Sequence, residues 1–294
     1  MPAQDVPLSL AAGSHPGRLK QIGGSRLINC MPEEVKEGKA RFAVLPRPGL
    51  VRRAVVDGAG CRGLFEVDEV RAYYLSGIHL YVVGPAGAPR FLGNISGSGH
   101  AYFARNRRPA TQVAMVANGS AYLIQAAGIN RLRIPAPGTG YVAPIDCGFL
   151  DGYLLFITRA GQMHFTGIDN ASDLSALNYI TAEGNPDGLW RMIVRKREAW
   201  LFGDRTTEIW SATGDVDKPF ERLSVGFLEQ GIGAPRSLEH HSLGVTWIDD
   251  DFIVRHVSDG YSPARLSDHD VERAIERDPN RSKISSFSFV REGH

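Results

Sequence analysis

The sequence contains few cysteines and no long apolar segment. Its 294 residues include only Cys30, Cys61 and Cys147, whose odd number and wide spacing fit neither a disulfide framework nor a CxxC metal site. No apolar run approaches the roughly 20 residues of a membrane-spanning helix. The opening residues also lack the basic and apolar regions of a secretory signal. We therefore expect reduced thiols in a protein made in the cytoplasm, with no membrane contact.

Motifs for nucleotide, metal or nucleophile chemistry are also missing. The glycine-rich GNISGSG (93–99) is not followed by Lys-Ser/Thr, and Rossmann spacing, HExxH and GxSxG are absent. His240 and His241 are adjacent, so on a strand they point to opposite faces and cannot share a metal. The aspartates at 249–251 have the chemistry of calcium ligands, but at a hairpin tip we expect them to solvate the turn. The sequence thus predicts no cofactor, no metal and no catalytic residue.

The formal net charge of +1 is the sum of two opposite halves. Residues 1–148 carry a net charge of +8 and residues 149–294 a net charge of −7. Such a split indicates a polyanionic partner or self-assembly, although differing surfaces of one domain would also produce it. Of the 33 basic residues, 27 are arginine, which suits bidentate phosphate contacts. A protein that grips DNA tightly would usually carry a larger net positive charge.

Five hairpin patterns recur at a nearly constant spacing. Their turns centre near residues 76, 118, 160, 204 and 250, which are 42, 42, 44 and 46 residues apart. The dipeptide Asn118-Gly119 accepts the positive φ angles of a type I′ turn. Further strand candidates lie between the hairpins, at 90–96, 130–136, 177–181 and 221–227. A hairpin every 40–50 residues or so, with Gly/Pro-rich connections, is typical of a β-propeller blade.

We therefore predict an all-β fold, a β-propeller-like array of four-stranded blades with a period of about 43 residues. The alternating aromatic residues Trp200, Phe202 and Trp210 are expected between blades. A β-sandwich with long loops is the alternative, but it predicts no fixed period.

The two ends of the chain differ from this repeat. Residues 1–44 are expected to form an extended N-terminal arm, and residues 45–294 the propeller-like domain. Ser267 is expected to cap a short helix at 268–277. A strand predicted at 282–290 has no partner after it, so we expect an array that is incomplete at its C-terminus or a blade closed by another segment or subunit.

Three patches of the sequence are similar to a known family. Residues 25–50 combine Asn-x-x-Pro-Glu, a charged link and Pro-x-Pro-Gly-Leu. Residues 182–214 contain Pro-Asp-Gly, Phe-Gly, Thr-Glu-x-Trp-Ser and Thr-Gly, and residues 230–248 begin with Gln-Gly-Ile. These patches resemble the packaged-DNA stabilisation proteins, or tail accessory (nozzle) proteins, of short-tailed bacteriophages. The resemblance extends over most of residues 25–260.

The resemblance implies a non-enzymatic virion protein of the head-to-tail region. Such a nozzle or hub subunit assembles as a hexameric ring, closes the channel and retains packaged double-stranded DNA until ejection. Its partners would be copies of itself, adaptor or portal-side proteins, distal tail proteins and, transiently, the DNA. It would be made in the host cytoplasm and reside in the phage tail. Channel or subunit contacts are then expected from the arginines of two clusters: Arg105, Arg107, Arg108, Arg131 and Arg133.

Two other functions are compatible with a propeller. Glu183 and Asp187 flank a Gly-Asn-Pro turn, and propeller glycosidases use carboxylates on such loops. A glycan-binding protein or glycosidase is therefore the alternative function, although the Asp-box repeats of sialidases are absent. A general protein-interaction propeller of a bacterial cytoplasm is the third possibility.

Overall fold

A computed structural model describes most of the chain. The described residues are 30–34, 42–47, 49, 51–52, 54–57, 60–84, 88–126, 128–182, 184 and 187–288. They belong to two compact units, one formed by residues up to 52 together with 267–279, and the other by residues 53–266 together with those from 280 onward. The second unit contains five of the six sheets.

The smaller unit contains a two-stranded antiparallel sheet. Its strands are β1 (Cys30–Glu34) and β2 (Phe42–Pro46). Residues before Cys30 lie outside the described part, so the division into an arm and a propeller at residue 44 stays a prediction. Within the described residues, no helix is both long and apolar enough to cross a membrane.

The smaller unit also contains the helix predicted near the C-terminus. Helix α1 (His269–Arg277) follows Asp268, whose carboxylate accepts hydrogen bonds from the N–H groups two and three residues later. Ser267 donates its hydroxyl to the Glu272 carboxylate at 2.7 Å instead of capping the helix. The helix is confirmed, but its cap is Asp268, because a carboxylate at this position can accept two of the unpaired N–H groups.

The larger unit is a β-propeller of five blades, each a four-stranded antiparallel sheet. Blade 1 contains β3 (Cys61–Asp68), β4 (Arg71–Ser76), β5 (His79–Val83) and β6 (Arg90–Asn94). Blade 2 contains β7 (Ala101–Arg105), β8 (Val113–Ala117), β9 (Ser120–Gln125) and β10 (Gly128–Leu132). Blade 3 contains β11 (Pro144–Leu150), β12 (Tyr153–Thr158), β13 (Gln162–Gly167) and β14 (Asn170–Thr181). Blade 4 contains β15 (Leu189–Arg195), β16 (Glu198–Gly203), β17 (Thr207–Ala212) and β18 (Phe220–Leu228). Blade 5 contains β19 (Glu239–His241), β20 (Gly244–Ile248), β21 (Val254–Val257) and β22 (Ala264–Arg265).

The first strand of each blade lies next to the first strand of the following blade. These inner strands, β3, β7, β11, β15 and β19, contact one another in chain order and therefore surround the propeller axis. Because every blade is an antiparallel meander, its loops fall on two faces. We call the face where inner strands begin the upper face; it also carries the turns between second and third strands. The lower face is where inner strands end.

The predicted period arises from the central hairpin of each blade. All five predicted turns connect a second strand to a third strand, and all four additional strand candidates coincide with fourth strands. Asn118 and Gly119 have φ values of 51° and 70°, as a type I′ turn requires. The propeller prediction is confirmed, and the sandwich alternative is wrong.

Apolar side chains between neighbouring blades form the core. Between blades 4 and 5, Trp200 and Phe202 pack with Trp247, and the Phe202 and Trp247 ring centroids are 5.3 Å apart. Trp210 packs partly buried against the cluster between blades 3 and 4. The prediction that Trp200, Phe202 and Trp210 lie between blades is therefore confirmed.

The strand predicted at 282–290 is wrong for the residues that are described there. A 3-10 turn spans Arg281–Lys283, and residues 284–288 form no strand. Ser286 instead donates its N–H to the Arg236 carbonyl at 3.2 Å and its hydroxyl to the Ser237 carbonyl at 2.8 Å. These bonds attach the segment to the connection before blade 5, and each described blade already has four strands of its own.

Because the core lies between the blades, we expect a substitution there to lower the free energy of unfolding much more than a substitution on the surface. Trp247→Ala removes a side chain with 0% exposure, and we expect it to lower the free energy of unfolding by about 3–5 kcal/mol. Leu177→Ala, at 83% exposure, should change it by less than about 0.5 kcal/mol. Chemical denaturation of both variants measures the contrast. Equal losses would contradict a core located between the blades.

Candidate functional site

Charged side chains from several blades meet near the upper end of the axis. Asp146 of β11 pairs with the Arg191 guanidinium of β15, and its side chain is only 1% exposed. The same carboxylate accepts the backbone N–H groups of Cys147 and Met192, each at 2.8 Å. This buried pair joins blades 3 and 4 and leaves neither carboxylate oxygen without a donor.

Arg191 also contacts the inner strand of blade 2. Its guanidinium lies 3.8 Å from the ring centroid of Tyr102, on the inner strand of blade 2, and its Nε donates to the Pro235 carbonyl at 3.0 Å. Side chains from blades 2, 3 and 4 therefore meet at this level. Because consecutive inner strands contact one another around the axis, the space that they enclose is too narrow for duplex DNA.

Arg62 of β3 explains the glycine-rich segment at 93–99. Its guanidinium donates to the carbonyls of Gly77, Ile95 and Gly99 at 2.8, 3.0 and 2.6 Å. The segment therefore presents carbonyl oxygens to a buried cation, the opposite of the N–H groups that bind a phosphate.

The titratable groups of this cluster are not arranged for catalysis. Burial, together with the positive charges of Arg191, Arg236 and Arg62, lowers the pKa of His100 to about 4. Burial, reinforced by Asp146, raises the pKa of the Cys147 thiol well above its usual range. Near neutral pH the His100 imidazole is therefore neutral and the Cys147 thiol is protonated, so the cluster offers no thiolate nucleophile.

The five arginines predicted to contact DNA or another subunit do not form one patch. Arg105, Arg107 and Arg108 lie at the lower end of blade 2. Arg105 donates to the Val67 carbonyl and lines a hollow with three acidic residues of blade 1. Arg108 donates to the Asp169 carbonyl at 3.0 Å.

Arg107 lies in a similarly mixed environment. Its guanidinium is 5.7 Å from the Phe149 ring centroid, and it lines a hollow that also contains Asp151, Asp169 and Arg197. Carboxylates therefore offset the positive charge of this lower cluster.

Arg131 and Arg133 lie at the end of β10, toward the upper face. Arg131 donates to the Ser120 hydroxyl at 3.1 Å, and the Arg133 guanidinium is 5.2 Å from the Tyr141 ring centroid. They line a pocket of about 270 Å³ that we call the Arg131 pocket. None of its eight lining residues is acidic. Its positive charge therefore stays available to an anion.

The carboxylates that suggested a glycosidase have another role where they are described. Glu183 lies outside the described residues. Asp187 accepts the backbone N–H groups of Asp204, Arg205 and Thr206 and the Thr206 hydroxyl, at 2.7–3.0 Å. It therefore holds the upper turn of blade 4, and a carboxylate bound by four donors is poorly suited to act as a general acid.

The aspartates at 249–251 differ from one another. Asp249 is buried and accepts the N–H groups of Asp251 and Ile253 at 3.1 and 2.8 Å and the Arg255 Nε at 2.6 Å. The prediction that all three solvate the turn is wrong for Asp249, because it binds the backbone of its own loop. The described residues contain no group of three potential metal ligands.

His240 and His241 lie on β19, as part of a strand. The His241 Nε2 is 2.9 Å from the Thr246 hydroxyl, which is also 3.0 Å from the His256 Nδ1. These contacts connect the inner three strands of blade 5 and involve no shared metal geometry.

Two of the three patches that carry the family resemblance, residues 182–214 and 230–248, contribute to the upper face of blades 4 and 5. Gly231 and Gly233 lie so close to the turns of blades 4 and 5 that an added Cβ would come within 2.4 Å of the backbone of Asp204 and Asp249, respectively. The sequence analysis did not predict this close approach between the connection and the turns. The signal for it is the Gly-Ile-Gly spacing, since two glycines in one connection indicate close backbone approach.

Because the Asp146–Arg191 pair is buried, we expect a variant that breaks it to lose stability in a pH-dependent way. Arg191→Met leaves Asp146 buried without its counter-charge, and we expect a loss of about 3–5 kcal/mol in the free energy of unfolding near pH 8. The loss should be smaller toward pH 5, because the raised pKa of Asp146 lets this carboxyl take up a proton and become neutral. The variant also lacks the Arg191 charge that opposes protonation of His100, so protonation of His100 at low pH costs less stability than in the wild type. Denaturation at several pH values tests this. The exposed pair Arg197–Asp151 supplies the control, Arg197→Met, for which a comparable loss would contradict the reasoning.

Because Asp187 accepts four hydrogen bonds, we expect its substitution to lower stability. Asp187→Asn places an amide N–H₂ group among hydrogen-bond donors, and the free energy of unfolding should fall by about 1–3 kcal/mol. Asp217→Asn, on an exposed loop, should be close to neutral. Thermal unfolding compares the two variants. Unchanged stability combined with loss of a glycoside-hydrolysing activity would instead support the glycosidase alternative.

Solved structures with similar folds include propellers of diverse roles. The propeller domain of Cps50 (Swd1) from Myceliophteria thermophila is 10% identical, with a TM-score of 0.54 and coverage of 70% of this chain and 72% of that one. YCF48 bound to D1 peptide is 13% identical, with a TM-score of 0.42 and coverage of 74% and 68%. PorZ, a surface component of the type-IX secretion system of Porphyromonas gingivalis, is 13% identical, with a TM-score of 0.44 and coverage of 71% and 26%. The present chain thus spans about a quarter of PorZ, and at these identities the likeness concerns the fold alone.

No curated protein matches the sequence significantly. The sequence profile of one family does match, over residues 10–277, and that family is described as Bacteriophage P22 Gp10, beta-propeller. The match spans all five blades and α1. It includes the two patches, residues 182–214 and 230–248, that hold the upper turns of blades 4 and 5. The chain therefore belongs to the Phage_stabilise family of structural phage proteins.

Proposed function

We propose that the chain is a subunit of the phage tail nozzle that closes the head-to-tail channel and retains packaged DNA until ejection. The observation that carries this proposal is the family match over residues 10–277. The subunit would act in the virion, after synthesis in the host cytoplasm. Its neighbours would be adaptor or portal-side proteins above and distal tail proteins below.

The narrow propeller axis supports a channel formed between subunits. Consecutive inner strands contact one another around the axis, and Arg191 of blade 4 stacks on Tyr102 of blade 2. A duplex would therefore pass along the outside of several propellers arranged in a ring. A hexameric ring fits this role, and the opposite charges of the two halves of the sequence would suit contacts between adjacent copies.

The Arg131 pocket supports direct but weak contact with DNA. Arg131 and Arg133 present two guanidinium groups without a carboxylate in the pocket, and Tyr141 and Ser120 add an aromatic ring and a hydroxyl. Few phosphate contacts per subunit give weak, salt-sensitive binding. A protein that retains DNA and later lets it slide past needs this weak binding more than a tight grip.

The role that we propose is not catalytic. Asp187 is occupied by four donors, and the axial cluster contains a neutral imidazole and a protonated thiol near neutral pH. The chain would act by assembling into a ring and by presenting arginines such as Arg131 and Arg133 to the DNA.

Genome retention tests this function. Particles assembled without the chain should package DNA and then lose it, measured as nuclease-sensitive DNA after tail assembly. Particles that carry Arg131→Ser/Arg133→Ser should assemble but release DNA at a lower temperature than the wild type, because two phosphate contacts per subunit are lost.

Arg107→Ser/Arg108→Ser is the matched control, since nearby carboxylates already offset that cluster. It should release DNA at the wild-type temperature. The proposal fails if particles without the chain retain DNA as firmly as wild-type particles. It also fails if cryo-EM of the virion places the chain away from the tail axis.

A further inference from the structure

An open cleft lies on the upper face between blades 4 and 5. It has a volume of about 630 Å³, within the range of small-molecule sites. Its lining includes two aromatic side chains, three carboxylates and one guanidinium: Trp190, Phe252, Asp204, Asp250, Asp251 and Arg205. We call it the Trp190 cleft. The axial cluster and the Arg131 pocket share none of these six residues.

Both aromatic rings of the Trp190 cleft are held by arginines. The Arg159 guanidinium lies 3.8 Å from the Trp190 ring centroid and is 3.1 Å from the Asp204 carboxylate. The Trp190 indole N–H donates to the same carboxylate at 2.5 Å. Arg281 lies 4.2 Å from the Phe252 ring centroid. Each ring is therefore fixed in place while its residue is still partly exposed, and Trp190 is 39% exposed.

The loop that carries Phe252 holds a strained conformation. Phe252 has a φ of 63°, which a bulky side chain rarely adopts. Asp249 maintains this loop by accepting the N–H groups of Asp251 and Ile253. Strain that surrounding bonds maintain is concentrated at functional sites, where it fixes a binding geometry.

The charges around the cleft are balanced and mixed. Three carboxylates, Asp204, Asp250 and Asp251, lie near three guanidinium groups, Arg159, Arg205 and Arg281. A polyanion such as DNA would be repelled by the carboxylates that line the cleft. Turns and a 3-10 segment form much of its wall, so an extended peptide finds little free strand edge to pair with. A metal is also disfavoured, since the described residues contain no group of three potential ligands.

We propose that the Trp190 cleft binds a neutral saccharide. Sugar hydroxyls both donate and accept hydrogen bonds, which matches carboxylates and a guanidinium in one cleft. The apolar C–H face of a sugar ring packs on a rigid aromatic ring, and this packing is the role of Trp190 and Phe252. The half-buried Asp250, whose pKa is raised by burial and by Asp249 and Asp251, would gain from a hydroxyl donor. This binding site is additional to the nozzle role and does not depend on it.

Direct binding tests the proposal. The purified full chain, fluorescently labelled, is applied to an array of bacterial surface oligosaccharides that contains neutral and anionic members. The strongest ligand is then titrated by calorimetry. We expect a neutral oligosaccharide to bind the wild type. Trp190→Ala should weaken its affinity about tenfold, because an aromatic contact is lost. Asp251→Asn, a change on an exposed turn, should weaken it several-fold.

Phe91→Ala is the matched control, since Phe91 is an aromatic residue with 50% exposure on the outer strand of blade 1. It should bind like the wild type. Thermal unfolding confirms that each variant is folded, and Asp251→Asn carries the test if Trp190→Ala does not fold. The proposal is overturned if the wild type binds no oligosaccharide or only anionic ones, or if folded Trp190→Ala and Asp251→Asn both retain wild-type affinity. Unchanged genome retention in Trp190→Ala particles would show that the two functions are separate.

Discussion

The buried ion pair between Asp146 and Arg191 is the interaction on which the arrangement of the blades depends. A carboxylate removed from water is costly unless charge and hydrogen bonds compensate it, and here Arg191, Cys147 and Met192 all do so. Because Arg191 also stacks on Tyr102, one guanidinium connects blades 2, 3 and 4. The directional contacts of the pair fix how these blades meet, which apolar packing alone would leave less specific.

Two of the motifs that carry the family resemblance hold the turns of the upper face in place. The Pro-Asp-Gly patch supplies Asp187, which holds the turn of blade 4 through three backbone N–H groups. In the Gly-Ile-Gly patch, Gly231 and Gly233 let the connection before blade 5 approach two turns more closely than a Cβ would permit. Neighbouring turns thereby become one continuous surface. Few residue types satisfy the backbone contacts at these positions of the fold.

The sequence predicted the architecture better than the site. Hairpin period and turn chemistry are local, so the five central hairpins and the four candidate outer strands follow from spacing and residues such as Asn118-Gly119. Whether a charge is offset depends on residues that are distant in the chain. Arg108 meets Asp169, and Arg105 lies beside the acidic end of blade 1, whereas Arg131 and Arg133 meet no carboxylate in their pocket. Asp249 was likewise unpredictable, because its burial depends on Arg255 and on the loop that it organises. The strand expected at 282–290 failed because serine-to-backbone bonds compete with strand pairing.

The distribution of unopposed charge also constrains what a DNA-retaining subunit can be. Every phosphate contact adds affinity that must be lost again before DNA moves, so a subunit rich in free arginines would resist ejection as strongly as it resists leakage. The chain carries 27 arginines, yet Arg107 and Arg108 at the lower face and Arg191 near the axis are engaged with carbonyls, rings or carboxylates. Arginines engaged in this way stabilise the propeller, and they would add little to the DNA affinity that we propose. In the nozzle role that we propose, the few arginines left unopposed, such as Arg131 and Arg133, would determine how firmly a ring of subunits holds the genome.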